Sequence, residues 1–287
     1  MKIQFSGITD VGLKREGNED SFSTDDTLGL YIVADCMGGH LAGEVASRVA
    51  VEIINKTFKK WVEEQATENE IYGEPDSSLS LKGNYLLGSI RLANKIVHEM
   101  AVEQEEYHGM GTTVVMLLVS SSRLITANVG DSRLYLIRNG EIEALSNDHS
   151  IVAEQIAMGM MTEEEAAVSP LRHVLTRNLG SSGDVVPDIF EIVPEENDRL
   201  ILCSDGLTDL VPSNELLQVA ENIDNPENLC RKLVDTVLDR GAHDNTTIIS
   251  VFISGMKKKG DSFLKKLGMF LIDLFFRGVN NLKKILP

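Results

Sequence analysis

The sequence predicts an α+β fold in which antiparallel sheets carry helices on their outer faces. Segments rich in Val, Ile, Leu and Thr follow one another directly, above all over residues 111–137, instead of alternating strictly with helices. Apolar residues recur at helical spacing over 43–61, 84–106, 213–222 and 226–240. Runs of strands and runs of helices favour antiparallel sheets with helices outside them over a parallel βαβ sheet.

In chain order, strands are predicted over residues 3–9, 28–34, 111–119, 123–129, 133–137, 188–194, 198–204 and 246–253. Tight turns are predicted at Gly130-Asp131-Ser132 and at Asn139-Gly140. Residues 62–83 are acidic and lack any period, which predicts an exposed, mobile insertion. A Met-rich helical pattern after Ser150 gives way to irregular sequence up to residue 187.

Composition excludes several classes of protein. The 287 residues carry a net charge of −17, which argues against nucleic acid as the main partner, although bound metal ions would let an acidic chain act on phosphates. Three cysteines are too few and too uneven for a disulfide framework and fit a reducing cytosol. Met1–Phe5 has no signal-peptide character, and no apolar run is long enough to span a bilayer, so we expect a cytoplasmic protein.

Charge reverses sign near Gly255. Residues 255–287 hold eight basic and two acidic residues, or +6, whereas residues 1–254 carry −23. The sequence therefore predicts a domain over 1–254 and a separate basic tail over 255–287. Apolar residues at mostly helical spacing over 263–286 favour peripheral contact of the tail with an anionic membrane, or with a partner helix, over folding back onto the domain.

Three aspartates stand at strand ends. Asp35 and Asp205 each follow an apolar strand, and Asp244 immediately precedes one. A single such residue is typical of a turn, but three with the same placement can converge on one rim of packed sheets. Carboxylates so close together repel one another unless cations neutralise them, and hard oxygen ligands without a His/Cys set favour Mg²⁺ or Mn²⁺.

Seven short motifs in order resemble the metal-dependent Ser/Thr protein phosphatases of the PP2C (PPM) type, in the compact bacterial form. They cover about residues 1–254 and are Arg15-x-x-Asn18-Glu19-Asp20, Asp35-Cys36-Met37-Gly38-Gly39-His40, Gly111-Thr112-Thr113, Asn128-Val129-Gly130-Asp131-Ser132-Arg133, Asp148-His149-Ser150, Ser204-Asp205-Gly206 and Asp244-Asn245-x-Thr247. The resemblance implies a four-layer α-β-β-α sandwich with two Mn²⁺ or Mg²⁺ ions at one end. It also implies hydrolysis of phosphoserine and phosphothreonine by a metal-bridging hydroxide.

The resemblance assigns metal ligands in this chain. Asp35 bridges both ions, Asp205 and Asp244 complete the first, and the backbone carbonyl of Cys36 binds the second. Asp131, together with Asp205, serves a third and weaker ion site seen in bacterial members. The family usually has glycine where this chain has Cys36, so its thiol is either an inert filler or a site of oxidative inhibition.

Other roles follow from the same resemblance. Glu19 and Asp20 hold metal-bound waters or support the ligands, and the planar guanidinium of Arg15 binds the substrate phosphate. His40 is either the general acid for the leaving alkoxide or a residue that orients a metal-bound water or an Asp side chain. Residues 150–187 form the flap that borders the site and shapes substrate choice.

Partners are less constrained. Phosphoproteins are the implied substrates, a Hanks-type Ser/Thr kinase is an implied counterpart, and we expect a monomer. A phosphoprotein-binding module without turnover and a hydrolase of small phosphoesters on the same scaffold remain alternatives. All the family's core acids are retained, which favours catalysis.

Overall fold

A computed structural model describes residues 1–37 and 41–256 of the chain. The strands are β1 (Lys2–Asp10), β2 (Ser21–Asp25), β3 (Leu30–Ala34), β4 (Cys36–Met37), β5 (Gly111–Thr112), β6 (Val114–Val119), β7 (Leu124–Val129), β8 (Arg133–Arg138), β9 (Glu141–Ala144), β10 (Asp188–Ile192), β11 (Arg199–Cys203) and β12 (Thr246–Ser254). The helices are α1 (Leu41–Glu64), α2 (Leu81–Glu103), α3 (Ile151–Ala157), α4 (Glu163–Ala167), α5 (Asp205–Thr208), α6 (Ser213–Glu221) and α7 (Pro226–Asp239).

Two antiparallel sheets of five strands each pack face to face. Their strand orders are β1-β12-β11-β8-β9 and β10-β7-β6-β3-β2, and β4 pairs with β5 as a small separate ladder. Helices α1 and α2 cover the outer face of the second sheet, and α6 and α7 cover the outer face of the first. The α+β class and the four-layer sandwich are therefore confirmed.

Strand β6 shows how alternation builds these layers. Val114, Met116 and Leu118 face α1 and α2, whereas Val115 and Leu117 face the first sheet. Both faces are covered, so β6 is a continuous apolar run in which every residue is buried. Burial on both sides fixes the register of the central strands.

The connection between α1 and α2 is shorter than the insertion predicted over 62–83. Residues 62–64 lie in α1, and α2 begins at Leu81 behind an N-cap whose Ser80 side chain accepts a hydrogen bond from the N–H of Gly83. Within the connection, Ala66 and Ile71 are buried against the core. Burial of these two apolar side chains anchors a segment whose other residues are mostly charged or polar.

Apolar runs in the sequence do not predict two polar edge strands, β2 and β9. Strand β2 is half-buried along its whole length, and β9 alternates between glutamate and small or apolar residues. Separately, no helix within the described residues combines the length and the apolar character needed to cross a membrane.

Candidate active site

The ends of several strands meet at one end of the sandwich. Asp35 follows β3, Asp205 opens the single turn of α5 after β11, and Asp131 lies in the turn between β7 and β8. Asp244 lies two residues before β12, which pairs antiparallel with β11. The predicted convergence of strand-end acids on one rim agrees with this topology.

Three of these acids, Asp35, Asp131 and Asp205, interact electrostatically with one another and with Asp20, and we call the four the carboxylate cluster. Burial raises the pKa of Asp35 well above its ordinary value, and the negative charges of its three cluster neighbours raise it further. Burial and the charge of Asp205 raise the pKa of Asp131 to about 7. The cluster thus gathers four carboxylates with no Arg or Lys within salt-bridge distance in the described part of the chain.

Asp205 differs from its neighbours. Burial acts to raise its pKa, but the neighbouring His173 and Asp35 side chains outweigh burial and lower it. His173 Nδ1 lies 3.7 Å from Asp205 Oδ2, and the contact raises the pKa of the imidazole. Within the cluster, Asp205 is therefore the carboxylate that stays ionised most readily.

Within the cluster, Asp20 is held by two hydroxyl groups. Its Oδ2 accepts hydrogen bonds from Ser204 Oγ at 2.8 Å and from Thr247 Oγ1 at 2.6 Å, and these bonds only partly offset a burial that raises its pKa to about 6. Its Oδ1 is buried and has no hydrogen-bond partner among the residues that the structure describes. A buried carboxylate oxygen without a partner is costly, and a cation or its bound water is a suitable partner.

The backbone around Asp35 is held by the β5–β6 segment. The N–H of Asp35 donates to Thr113 Oγ1 at 3.0 Å, and its carbonyl accepts from the Thr113 N–H and from Thr112 Oγ1, both at 2.8 Å. Thr113 Oγ1 also hydrogen-bonds Ser132 Oγ at 2.7 Å, next to Asp131. Hydroxyl groups thus link the loops that carry Asp35 and Asp131.

Gly206 brings the Asp205 and Asp244 segments together. A Cβ placed on Gly206 would lie 2.0 Å from the carbonyl oxygen of Asn245 and 2.9 Å from Thr246 Oγ1. Only glycine permits so close an approach of α5 to the residues around Asp244. Steric clash with any larger side chain therefore explains why the Ser-Asp-Gly motif has glycine at this position.

Arg15 and Asp244 contact each other. Arg15 Nη2 lies 2.7 Å from Asp244 Oδ2, and this hydrogen bond raises the pKa of the guanidinium. The sequence assigned the two residues separate roles, with phosphate for Arg15 and a metal ion for Asp244. Their pairing joins positions 229 residues apart, and no pattern in the sequence signals it.

Cys36 and Glu19 are also neighbours. Cys36 Sγ donates to Glu19 Oε2 at 2.6 Å, and the N–H of Glu19 donates to Asn245 Oδ1 at 2.8 Å. A Cβ on Gly43 would lie 2.6 Å from Cys36 Sγ, so the glycine makes room for the thiol at the start of α1. His40 lies outside the described residues.

Two histidines at the site were not singled out from the sequence. His173 belongs to the flap, and its Nε2 lies 3.9 Å from Asp209 Oδ2. His243 Nε2 lies 3.1 Å from the same Asp209 oxygen. His173 stands in irregular sequence without a period, while His243, directly before Asp244, could have been found by its position.

The donor set fits hard divalent cations, since it consists of carboxylate oxygens and one orphaned oxygen of Asp20. In the described part of the chain, no group of three or more His, Cys, Asp or Glu residues could hold an ion as it stands. Asp205 is engaged by His173 and Asp244 by Arg15.

Known proteins resemble this chain in sequence. The model of the family described as protein phosphatase 2C matches residues 14–239. A putative protein phosphatase 2C-type from Streptococcus pyogenes serotype M6 is 34% identical over 254 residues, which cover 88% of this chain and 97% of that protein.

Two solved structures have the same fold. Serine/threonine phosphatase Stp1 from Staphylococcus aureus superposes with a TM-score of 0.77 at 34% identity, over 89% of this chain and 96% of that one. The catalytic domain of serine/threonine protein phosphatase PstP, in complex with two manganese ions, superposes with a TM-score of 0.73 at 29% identity, over 88% and 99%.

Proposed function

The chain is an enzyme of the protein phosphatase 2C family, a bacterial-type serine/threonine phosphatase, and we propose that it hydrolyses phosphoserine and phosphothreonine in proteins at the carboxylate cluster. The observation that carries the proposal is the concentration of buried and half-buried acids at converging strand ends, with raised pKa values at Asp20, Asp35 and Asp131. Such a cluster repels a phosphate dianion unless cations reverse the local sign of charge.

Asp35, Asp205, Asp244 and the carbonyl of Cys36 would hold two Mn²⁺ or Mg²⁺ ions, and Asp131 with Asp205 would hold a third. When bound, these ions supply positive charge for the phosphate and lower the pKa of the water that attacks phosphorus. The orphaned oxygen of Asp20 supports an ion or its water nearby. Glu19, which accepts from the Cys36 thiol, lies beside the same residues.

Arg15 binds the phosphate oxygens in this proposal. Its side chain is 43% exposed, and its present partner is Asp244. If Asp244 held a metal ion, the guanidinium of Arg15 would be free to offer its planar fork to phosphate. The assignment of His40 as general acid, or as a residue that orients water, remains a proposal outside the described residues.

Phosphate release from a phosphothreonine peptide tests the function. We expect release that depends on Mn²⁺, stops with chelator and falls by roughly three orders of magnitude in Asp205→Asn. Release without metal, or an unaffected Asp205→Asn variant, would overturn the proposal. Binding of the phosphopeptide without turnover would indicate a recognition module, and turnover of small phosphoesters alone would indicate a different substrate class.

We further propose a monomeric, cytoplasmic enzyme that opposes a Ser/Thr kinase, with a tail that contacts an anionic membrane surface or a partner helix. Strand β12 begins two residues after Asp244 and runs away from the carboxylate cluster to Ser254. At about 3.3 Å per residue, its nine residues put the start of the tail roughly 30 Å from the cluster. This distance supports surface contact through the tail, with the active site facing away from that surface.

Co-sedimentation tests the tail. Vesicles containing phosphatidylserine should pellet the full chain but not a chain truncated after Ser254, because lysines near an anionic surface contribute about 1 kcal/mol each. The truncated chain should keep full phosphatase activity. Equal pelleting of both chains, or of neither, would contradict membrane contact, and a rise in activity on truncation would indicate that the tail folds back onto the domain.

A further inference from the structure

Asn245 is a buried residue, 5% exposed, to which the proposed chemistry gives no role. Its side-chain Nδ2 donates hydrogen bonds to the carbonyl oxygens of Val11 and Gly17, both at 3.0 Å, and its Oδ1 accepts a hydrogen bond from the N–H of Glu19 at 2.8 Å. These bonds use both N–H groups of the amide and its oxygen, and they fix the orientation of the amide. One side chain therefore contacts three points of residues 11–19, which we call the Arg15 loop.

The tip of the Arg15 loop has few contacts of its own. Residues 13–17 are exposed, and in the described part of the chain the backbone of residues 14–16 makes no hydrogen bond. Near the start of the loop, the N–H of Leu13 donates to the carbonyl of Ala242 at 2.8 Å. The position of the tip is therefore set at the two ends of the loop, and Asn245 contacts both ends.

Asp244 and Asn245 contact the Arg15 loop at different places. Asp244 Oδ2 accepts a hydrogen bond from Arg15 Nη2 at 2.7 Å, at the tip, whereas the amide of Asn245 holds the backbone at the two ends. The three bonds of the amide do not involve the Asp244 carboxylate. With Asp244 engaged by an ion, the amide would still hold the loop, and Arg15 would stay beside the carboxylate cluster without its ion pair.

We propose that Asn245 is a positioning residue that holds the Arg15 loop in place, so that the guanidinium of Arg15 lies where phosphate binds. The proposal rests on the proposed function in taking Arg15 as the phosphate ligand. A loop that is ordered before the ligand arrives loses less conformational freedom on binding, so phosphate binds more tightly. If Arg15 were in place only about a fifth of the time, the apparent dissociation constant for phosphate would rise about fivefold.

Asn245→Ala removes all three bonds, and Asn84→Ala is the matched control. Asn84 is also buried, and its Oδ1 accepts from the N–H of Asp76 at 2.7 Å, while its Nδ2 donates to the carbonyls of Asp76 at 2.9 Å and Ser80 at 3.4 Å. These bonds hold the connection between α1 and α2, which carries none of the proposed site residues. Both variants should lose stability, because each leaves backbone groups without their partners.

Nuclear magnetic resonance on the metal-free full chain tests whether Asn245 orders the loop. The backbone order parameters of residues 14–17 should fall below about 0.6 in Asn245→Ala, the range of a flexible segment. The wild-type protein and Asn84→Ala should both keep values close to those of the rigid backbone, about 0.85. This measurement needs neither metal nor substrate.

Calorimetric titration of inorganic phosphate into the Mn²⁺-loaded full chain tests whether the ordering acts through Arg15. Asn245→Ala should bind phosphate about fivefold more weakly than the wild-type protein, and Asn84→Ala should bind it equally well. In the Arg15→Ala background, adding Asn245→Ala should weaken binding by less than about twofold, because no guanidinium is left to position. A residue with a merely structural role would weaken binding by the same factor in both backgrounds.

Unchanged order parameters in Asn245→Ala would overturn the proposal, and so would an equal loss of phosphate affinity with and without Arg15. If Asn245→Ala fails to fold, Asn245→Ser, which keeps a hydroxyl group at this position, decides by the same measurements. Neither measurement depends on turnover. A chain that shows the expected pattern of phosphate binding but releases no phosphate from a phosphopeptide would refute the phosphatase proposal alone, so the two failures are distinguishable.

Discussion

The two ends of β11 carry aspartates in opposite electrostatic situations. Asp198, just before the strand, is fully buried and faces Arg138, whose Nε and Nη2 both donate to its carboxylate at 2.7 Å. The N–H of Glu195 adds a third hydrogen bond at 2.7 Å. Asp205, just after the strand, is half-buried and lies among three other acids, and the one basic group within 4 Å of its carboxylate in the described part of the chain is the imidazole of His173, with Nδ1 at 3.7 Å.

The difference separates structural from functional use of the same residue type. At the Asp198 end the chain supplies its own cation and satisfies the carboxylate. At the Asp205 end, among the described residues, the acids of the carboxylate cluster gather with no Arg or Lys within salt-bridge distance, and burial together with mutual repulsion raises the pKa values of Asp20 and Asp131. A stable fold gains nothing from such a cluster, which supports the proposal that the active site lies at the Asp205 end and not at the Asp198 end.

The largest expected effect comes from changing the cluster. Asp35→Asn should lower kcat by roughly three orders of magnitude, because its carboxylate is shared between the ions. The metal-free variant should melt at or above the temperature of the wild-type protein, since one like charge has been removed. Mn²⁺-dependent phosphate release and calorimetric melting measure the two effects. Near-full activity, or a large drop in melting temperature, would contradict this assignment.

The opposite result is expected at the other end of the strand. Asp198→Asn should lower the free energy of unfolding by about 3 kcal/mol, because it leaves the guanidinium of Arg138 without its buried partner. Its folded fraction should keep full activity. Glu195→Gln is the matched control, because this partner of Arg138 is 55% exposed and should change stability by less than about 1 kcal/mol. Equal unfolding curves for the two variants would remove the contrast between the ends.

The pH dependence of stability sharpens the contrast. The pKa of about 7 for Asp131 in the folded protein lies above its value of 3.8 in the unfolded chain. The folded state holds this proton to higher pH, so the associated stability is present below about pH 4 and is lost as pH rises through 7. The metal-free Asp131→Asn variant should therefore gain roughly 4 °C in melting temperature relative to wild type between pH 5 and pH 7.5.

The wild-type protein and Asp131→Asn both contain His149 and His173, whose pKa values shift in opposite directions. Comparing the two proteins therefore cancels the contributions of these histidines to the pH dependence of stability. At saturating Mn²⁺, the melting temperature of the wild-type protein should no longer fall relative to that of Asp131→Asn as pH rises, because bound cations favour the ionised carboxylate. Parallel melting curves for the two metal-free proteins across this pH window would show that Asp131 is not held protonated.

The smallest expected effect is that of Arg15. Arg15→Ala should raise KM for a phosphopeptide about tenfold while kcat changes little, because the guanidinium contacts phosphate in the ground state as well as in the transition state. Arg15→Lys should recover only part of the loss, since an ammonium group lacks the planar fork. Steady-state kinetics at saturating Mn²⁺ measure both. An unchanged KM with a collapsed kcat would show that Arg15 acts mainly in the transition state.

The sequence predicts the layers better than it predicts their edges. Buried strands such as β6 and β11 are long apolar runs, and α7 has a clear apolar stripe that ends at Gly241, whose φ is +96°. The edge strands β2 and β9 are polar, because half of each faces water, and their pairing depends on neighbours distant in sequence. Local pattern therefore fails where tertiary contacts decide the conformation.

The same limit applies to the site. Asp35, Asp205 and Asp244 could be found because each adjoins an apolar strand. The pairing of Arg15 with Asp244, the bond from Cys36 to Glu19 and the approach of His173 to Asp205 join separate loops and leave no periodic trace.

Calorimetric titration of Mn²⁺ into the metal-free chain tests the contrast between the two ends of β11 most directly. Wild-type protein and Asp198→Asn, held at a temperature where both are folded, should bind at least two ions with the same affinity. Asp205→Asn should bind them at least about a hundredfold more weakly. Undiminished binding by Asp205→Asn, or an equal loss in Asp198→Asn, would contradict the account.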